Sequence, residues 1–193
     1  MLDRREEHVT DLSIAVRATL EGRGQIQRDE VIGWCRAAED LESLHLLYRL
    51  TAEGHERIHP HLGQQESCEL IQRYLLACVR LDPREDGILT RYEAAQTLVG
   101  WFQHLSSLRE DTTLVLGGAA AAVTKSYLEG DGDVKLAIET GFLEHLLEDV
   151  EFRPLFSAWA EDDRLRKAWH AALAWGEAHP GFTRSLLRGP SRK

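Results

Sequence analysis

Apolar residues recur along this chain with a period near 3.6, the spacing that lays one stripe of a helix against a core. Leu12, Val16 and Leu20 share such a stripe, which ends at the helix stop Gly22-Arg-Gly24. Val31, Trp34, Cys35, Ala38 and Leu41 open a second stretch, and Leu44, Leu47, Tyr48 and Leu50 carry it to Gly54, with a kink or break predicted over 40–43. After the punctuation of Pro60 and Gly63, Cys68, Ile71, Leu75, Cys78 and Val79 mark a helix ending near Asp82-Pro83. Thr90-Arg-Tyr-Glu93 has the form of a capping box, and Tyr92, Ala95, Val99, Phe102 and Leu105 follow on one face. An Ala-rich helix is predicted over 114–128, where Gly117-Gly-Ala-Ala-Ala-Ala122 allows close helix approach.

Beyond it, Val134, Ile138, Phe142 and Leu146 form a stripe that Leu143, Leu147 and Val150 widen. Phe152–Trp159 reads as a short helix after a bend at Pro154, and Leu165, Trp169, Ala172, Leu173 and Gly176 as the inner face of a last helix ending before Pro180. No segment alternates as a strand would, and no repeat of fixed period appears. The expected fold is all-α, a compact single-domain bundle of seven to nine helices over 1–193. Any subdivision would give helical halves at 1–82 and 90–180, with a basic tail at 182–193.

Composition adds little to this picture. At 193 residues, 43% hydrophobic and 28% charged, the chain is ordinary for a globular domain and can bury about 70% of its unfolded surface. No run approaches the roughly 18 apolar residues needed to span a bilayer. No apolar run follows the arginines of Met1-Leu-Asp-Arg-Arg, so a secretory leader is not expected. Three cysteines, Cys35, Cys68 and Cys78, form no CxxC pair and read as small hydrophobes of a reduced, cytoplasmic protein.

Charge changes the picture more. The net charge of −9 is concentrated: residues 129–163 hold eleven acids and two bases, Lys135 and Arg153. A concentrated anionic surface suits a cationic protein partner and repels nucleic acid and anionic membrane. The same letters also describe a solvated helix face, partly neutralised by Arg164, Arg166, Lys167, Arg184 and Arg188. Acid density that continues through helix, bend and helix favours a binding surface. The candidate contact residues are Glu139, Glu144, Glu148, Asp149, Glu151, Asp162 and Asp163, with Trp159 as an aromatic anchor.

Two motifs bear on metals. His55-Glu-Arg-Ile-His59 matches H-E-x-x-H, in which histidines one helical turn apart share a face, bind zinc and leave the glutamate to activate water. A zinc-dependent hydrolase using His55, Glu56 and His59 is therefore the alternative reading, and His55, His59 and His61 are the candidates for incidental metal binding. Pro60 and Gly54 bracket the motif closely, Arg57 sits inside it, and a third ligand is lacking; solvated histidines at a helix end explain the letters as well. Asp82-Pro-Arg-Glu-Asp86-Gly87-Ile-Leu-Thr90-Arg-Tyr-Glu93 resembles an EF-hand loop, but Arg84 stands where the third position needs an oxygen. Turn and capping chemistry explain those residues without calcium. No phosphate-cradling glycine loop and no nucleophile–base set appears, so no cofactor is expected.

The stretch from Thr90 to Pro180 is similar to a small bacterial helical domain of unassigned activity. The likeness is carried by Thr90-Arg-Tyr-Glu-Ala-Ala95, Tyr127-Leu-Glu-Gly-Asp131, Gly141-Phe-Leu-Glu-His145 and Arg153-Pro-Leu-Phe156. In size, acidity and all-helical character the chain also resembles, as a class, immunity proteins that neutralise bacterial toxins, including type VI secretion effectors. That resemblance implies a non-catalytic protein in a stoichiometric complex with a cognate, cytoplasm-acting toxin of cationic surface, such as a nuclease. A helical adaptor and a calcium-binding module stand beside it as further alternatives.

Overall fold

The computed structural model describes residues 4–108 and 111–180. Nine α-helices and almost no strand are found among them, so the all-α expectation holds. The chain divides into two compact units, one ending at Ala77 and the other beginning at Cys78.

The first unit holds α1 (Arg4–Glu21), α2 (Arg28–Ala37), α3 (Leu41–Glu53) and most of α4 (Gln64–Leu81). The break foreseen at 40–43 is the start of α3, where the Asp40 carboxylate accepts the Ser43 N–H at 2.8 Å. Val16, Val31, Leu47, Leu50, Leu70 and Leu75 are all buried in this unit, each on the stripe that helical periodicity assigns it or one residue from it. The strand-free expectation misses one detail. β1 (Ile26–Gln27) and β2 (Ile58–His59) pair in parallel, with Ile26 opposite Ile58, and both isoleucines are buried. Two residues carry no alternation to read.

The second unit holds α5 (Arg91–Ser107), α6 (Thr113–Glu129), α7 (Gly132–Ala137), α8 (Glu144–Leu146) and α9 (Arg166–Ala178). Residues Ile138–Leu143 form a π-helical turn between α7 and α8, and Val150–Ala160 a 3₁₀ helix that contains Pro154. The π turn follows from the stripe itself. Val134, Ile138, Phe142 and Leu146 are spaced by four, which in a regular α-helix drifts by about 40° per step. A wider turn of roughly 4.4 residues absorbs that drift, and all four side chains are buried. Phe102, Phe142, Phe152, Phe156 and Trp159 form an aromatic core with centroids 5.2–6.4 Å apart, mostly edge to face. Such pairs contribute about 0.5–1.5 kcal/mol each beyond their buried area.

Two expectations here need correction. Gly117 and Gly118 are exposed and have open space around them, so they bring no helix close; the buried face of α6 is Leu116, Ala119, Ala120 and Val123. Val150 is exposed rather than part of the 134–147 stripe, because the chain leaves the helix at Leu147.

Candidate functional site

The seven acids proposed as contacts emerge from the π turn, α8, the 3₁₀ helix and the turns that follow α8 and the 3₁₀ helix, and most are already engaged. Glu139 is half-buried and accepts the Tyr127 hydroxyl at 2.5 Å; burial, and then this carboxylate, push the phenol well above its usual range. Glu144 is half-buried, and loss of solvation raises its carboxyl above the ordinary carboxylate value, with Glu139 adding and His145 and His179 opposing. The Glu148 side chain is only 3% exposed and lies 3.4 Å from His145 Nδ1. Asp149 is half-buried and accepts from Gln103 Nε2 at 3.3 Å. Asp162 takes the Arg164 backbone N–H at 2.8 Å and its guanidinium at 2.7 Å, and these bonds hold its carboxyl down to about 2. Glu151 and Asp163 are the two that stand fully exposed, the first 3.4 Å from Ser106 Oγ and the second 2.9 Å from Arg166.

Trp159 does not join them at the surface. It is 2% exposed, packs on Tyr127 with centroids 4.9 Å apart, and donates its indole N–H to Thr124 Oγ1 at 2.9 Å. With Phe156 edge-on at 5.8 Å it is a core residue, and the surface-anchor expectation is corrected accordingly.

The H-E-x-x-H motif is not on a helix. His55–Arg57 form a single 3₁₀ turn after α3 ends at Glu53, and Ile58-His59 is β2, so His55 and His59 do not share a helical face. His55 and His61 line a cavity of about 210 Å³ with Thr51, Ile58, Leu62 and Ser67. Among the described residues no group of three or more His, Cys, Asp or Glu side chains is placed to hold a metal ion. The arrangement that a zinc hydrolase at His55, Glu56 and His59 requires is therefore not formed.

Arg57, inside that motif, has another task. Its guanidinium donates to the carbonyls of Thr19 and Leu20, orphaned acceptors at the C-terminal end of α1, and to that of Gly24 in the turn after it. Four more arginines do the same elsewhere. Arg73 donates to Cys35 and Ala38 at the end of α2, and Arg91 to Val79 and Arg80 at the end of α4. Arg153 donates to Leu147 after α8, and Arg166 to Ala160 and Glu161 after the 3₁₀ helix. A cation suits the negative end of a helix dipole, and a fork of N–H donors fits several carbonyls at once. Sequence reasoning missed this set entirely.

The EF-like loop is held by the same chemistry. Asp82, in the left-handed region at φ 48°, gives its carboxylate to the Arg91 N–H at 3.1 Å, and Gly87 turns at φ 85°. Thr90 and Glu93 complete the foreseen capping box, with the Glu93 carboxylate accepting the Thr90 N–H at 2.9 Å.

Fold and site together define an all-α protein in which side chains cap the starts of α3, α5 and α7 and the ends of α1, α2 and α4. No protein-family model, curated protein or solved structure matches the chain. Among the described residues no helix is long and apolar enough to cross a membrane.

Proposed function

We propose that this protein is a non-catalytic binding protein of the immunity class, which neutralises a cognate bacterial toxin acting in the cytoplasm, such as a nuclease. The observation that carries the reading is the state of the two bases within the acidic segment. Lys135 lies over the Tyr127 ring, with Nζ 5.8 Å from its centroid. Arg153 is turned onto the Leu147 carbonyl and, at 3.8 Å, the Glu177 carboxylate. Neither turns its charge toward the exposed acids of the segment, Glu129, Asp131, Asp133, Glu151, Glu161 and Asp163, of which Glu129, Asp133 and Asp163 pair with Lys125, Arg91 and Arg166. An anionic surface of this kind raises the association rate with a cationic protein and covers a phosphate-binding face by mimicry. Partners of opposite preference, nucleic acid and anionic lipid, are repelled by it.

The test is co-purification of the tagged chain from its native cells at low and moderate salt, with captured proteins identified by mass spectrometry. One basic protein recovered near one-to-one, and more of it at low salt, is the expected result. Recovery of the chain alone from cells that express candidate toxins overturns the proposal.

A further inference from the structure

The seven acids first singled out do not make a continuous outward face, because five of them are half-buried and hydrogen-bonded or packed within the unit. A different patch is both exposed and mixed in the way a contact centre needs to be. Tyr92, in the first turn of α5, is 44% exposed, and Leu136, in α7, is 49% exposed. Tyrosine is enriched among the residues that carry interface energy, and an exposed leucine on a neighbouring helix adds apolar area for a partner to cover.

Their placement follows from three contacts. The Tyr92 ring lies over Gly141, so close that a Cβ there would stand 3.3 Å from Tyr92 Cδ1 and 3.0 Å from Ala95 Cβ. Leu136 is one wide turn before Gly141 on the same helix, and its carbonyl accepts the Thr140 hydroxyl at 2.9 Å. Asp133, one turn before Leu136, is 3.5 Å from the Arg91 guanidinium beside Tyr92. Leu136 and Thr140 thus lie on the stretch of α7 and the π turn that begins with Asp133 beside Arg91 and ends with Gly141 beneath Tyr92. The π turn puts Gly141 there, which lets the aromatic ring settle without burying it, and such turns recur at functional positions.

Charge states what fits. Asp133 is 82% exposed, and Asp131 and Glu93 are exposed at the same helix starts. Of the cations nearby among the described residues, Arg91 donates to the Val79 and Arg80 carbonyls with its side chain only 12% exposed, and Lys135, next to Leu136 in the chain, lies over the Tyr127 ring. The rim of the apolar pair is therefore anionic.

We infer that the Tyr92–Leu136 patch is the centre of the partner interface, and that its occupant is a protein surface carrying Lys or Arg around an apolar depression. This rests on the binding reading above and moves its centre from Glu139–Asp163 to α5 and α7.

The experiment compares four tagged full-length chains in the capture from native cells: wild type, Tyr92→Ser/Leu136→Ser, Tyr92→Phe/Leu136→Met, and Leu114→Ser. Leu114 is 90% exposed on α6 and serves as the apolar-surface control. Circular dichroism melts check that each is folded, which substitution at half-exposed positions leaves intact. The inference expects wild type, the conservative pair and Leu114→Ser to retain one basic protein, and the serine pair to lose it at least tenfold. Equal retention by all four overturns the patch and leaves the binding reading standing. Loss by Leu114→Ser as well as by the serine pair overturns the patch as a specific centre. No capture by wild type overturns both.

Discussion

Replacing Arg57 by methionine separates the two accounts of residues 55–59 most cleanly. Methionine keeps the unbranched stem but removes three hydrogen bonds, at 2.7 Å to Thr19 and 3.4 Å to Leu20 at the end of α1 and 3.1 Å to Gly24 in the turn beyond. A hydrogen bond from a charged donor nets about 1.5–3 kcal/mol where water is excluded, and a cation at a helix C-terminus adds about 0.3–1 kcal/mol. The Arg57 side chain is half-buried, so water replaces part of what is lost, and the longest of the three bonds contributes little. The expected cost is about 2 kcal/mol. With a urea slope of roughly 2 kcal/mol per molar, the midpoint falls by about 1 M. Arg57→Lys keeps the charge but not the fork and loses about half as much. His59→Ala, at an exposed position, leaves the midpoint within about 0.2 M of wild type. Urea titration followed by circular dichroism at 222 nm measures all three. An Arg57→Met midpoint indistinguishable from wild type refutes the argument that arginine forks close these helices. A loss on His59→Ala larger than that on Arg57→Met refutes it in a different way, by making the histidines the structural element.

Other outcomes follow from the same geometry. Gly176→Ala places a Cβ 3.0 Å from the Glu148 nitrogen and the Leu147 oxygen, backbone atoms that cannot swing away, and costs about 1–3 kcal/mol, whereas Gly117→Ala in open space gains about 0.5–1 kcal/mol; paired denaturation curves read the contrast. Glu144→Gln stabilises at neutral pH, because burial raises the native carboxyl above its unfolded value and so disfavours folding wherever Glu144 is charged; the gain fades as pH falls through the raised native value, and a variant curve parallel to wild type from pH 7 to 4 contradicts this. Burial pushes the Cys35 thiol up to about 11, so iodoacetamide modifies it slowly at pH 8, and mass spectrometry showing labelling as fast as a free cysteine rules that out. Trp159→Ala, which empties a core site and removes the indole donor from a Thr124 hydroxyl still bonded to the Ala120 carbonyl, costs about 3–5 kcal/mol, measured by the same denaturation curves.

Helix boundaries were legible because the signals were local. The Thr90–Glu93 box and the Gly54 stop are written within four residues of the ends that they make, whereas 40–43 read only as a kink or break and the Asp40 cap came from the structure. The π turn was written in the four-residue spacing of Val134, Ile138, Phe142 and Leu146, although that stripe reads first as an ordinary helix face. The arginine caps divide by distance. Arg153 and Arg166 stand five or six residues past the carbonyls that they hold, near enough to be read as a return across a turn. Arg57 and Arg73 reach helix ends 33–38 residues earlier, a separation that only tertiary structure closes. Trp159 misled for a related reason. A short segment with Pro154 inside has too little period to say which aromatic faces inward, and the Thr124 hydroxyl that receives its indole is 35 residues away. The acids were counted correctly but could not be sorted, since a letter does not tell a half-buried Glu139 from an exposed Asp163.

The central claim, protection against a cationic toxin, is tested most directly by growth. The basic protein captured with this chain is expressed in susceptible cells, alone and together with wild type or the Tyr92→Ser/Leu136→Ser variant. Arrest by the captured protein alone, rescue by wild type and failure of rescue by the variant is the predicted result. Cells that grow equally well with the captured protein alone, or that stay arrested beside wild-type chain, contradict the account.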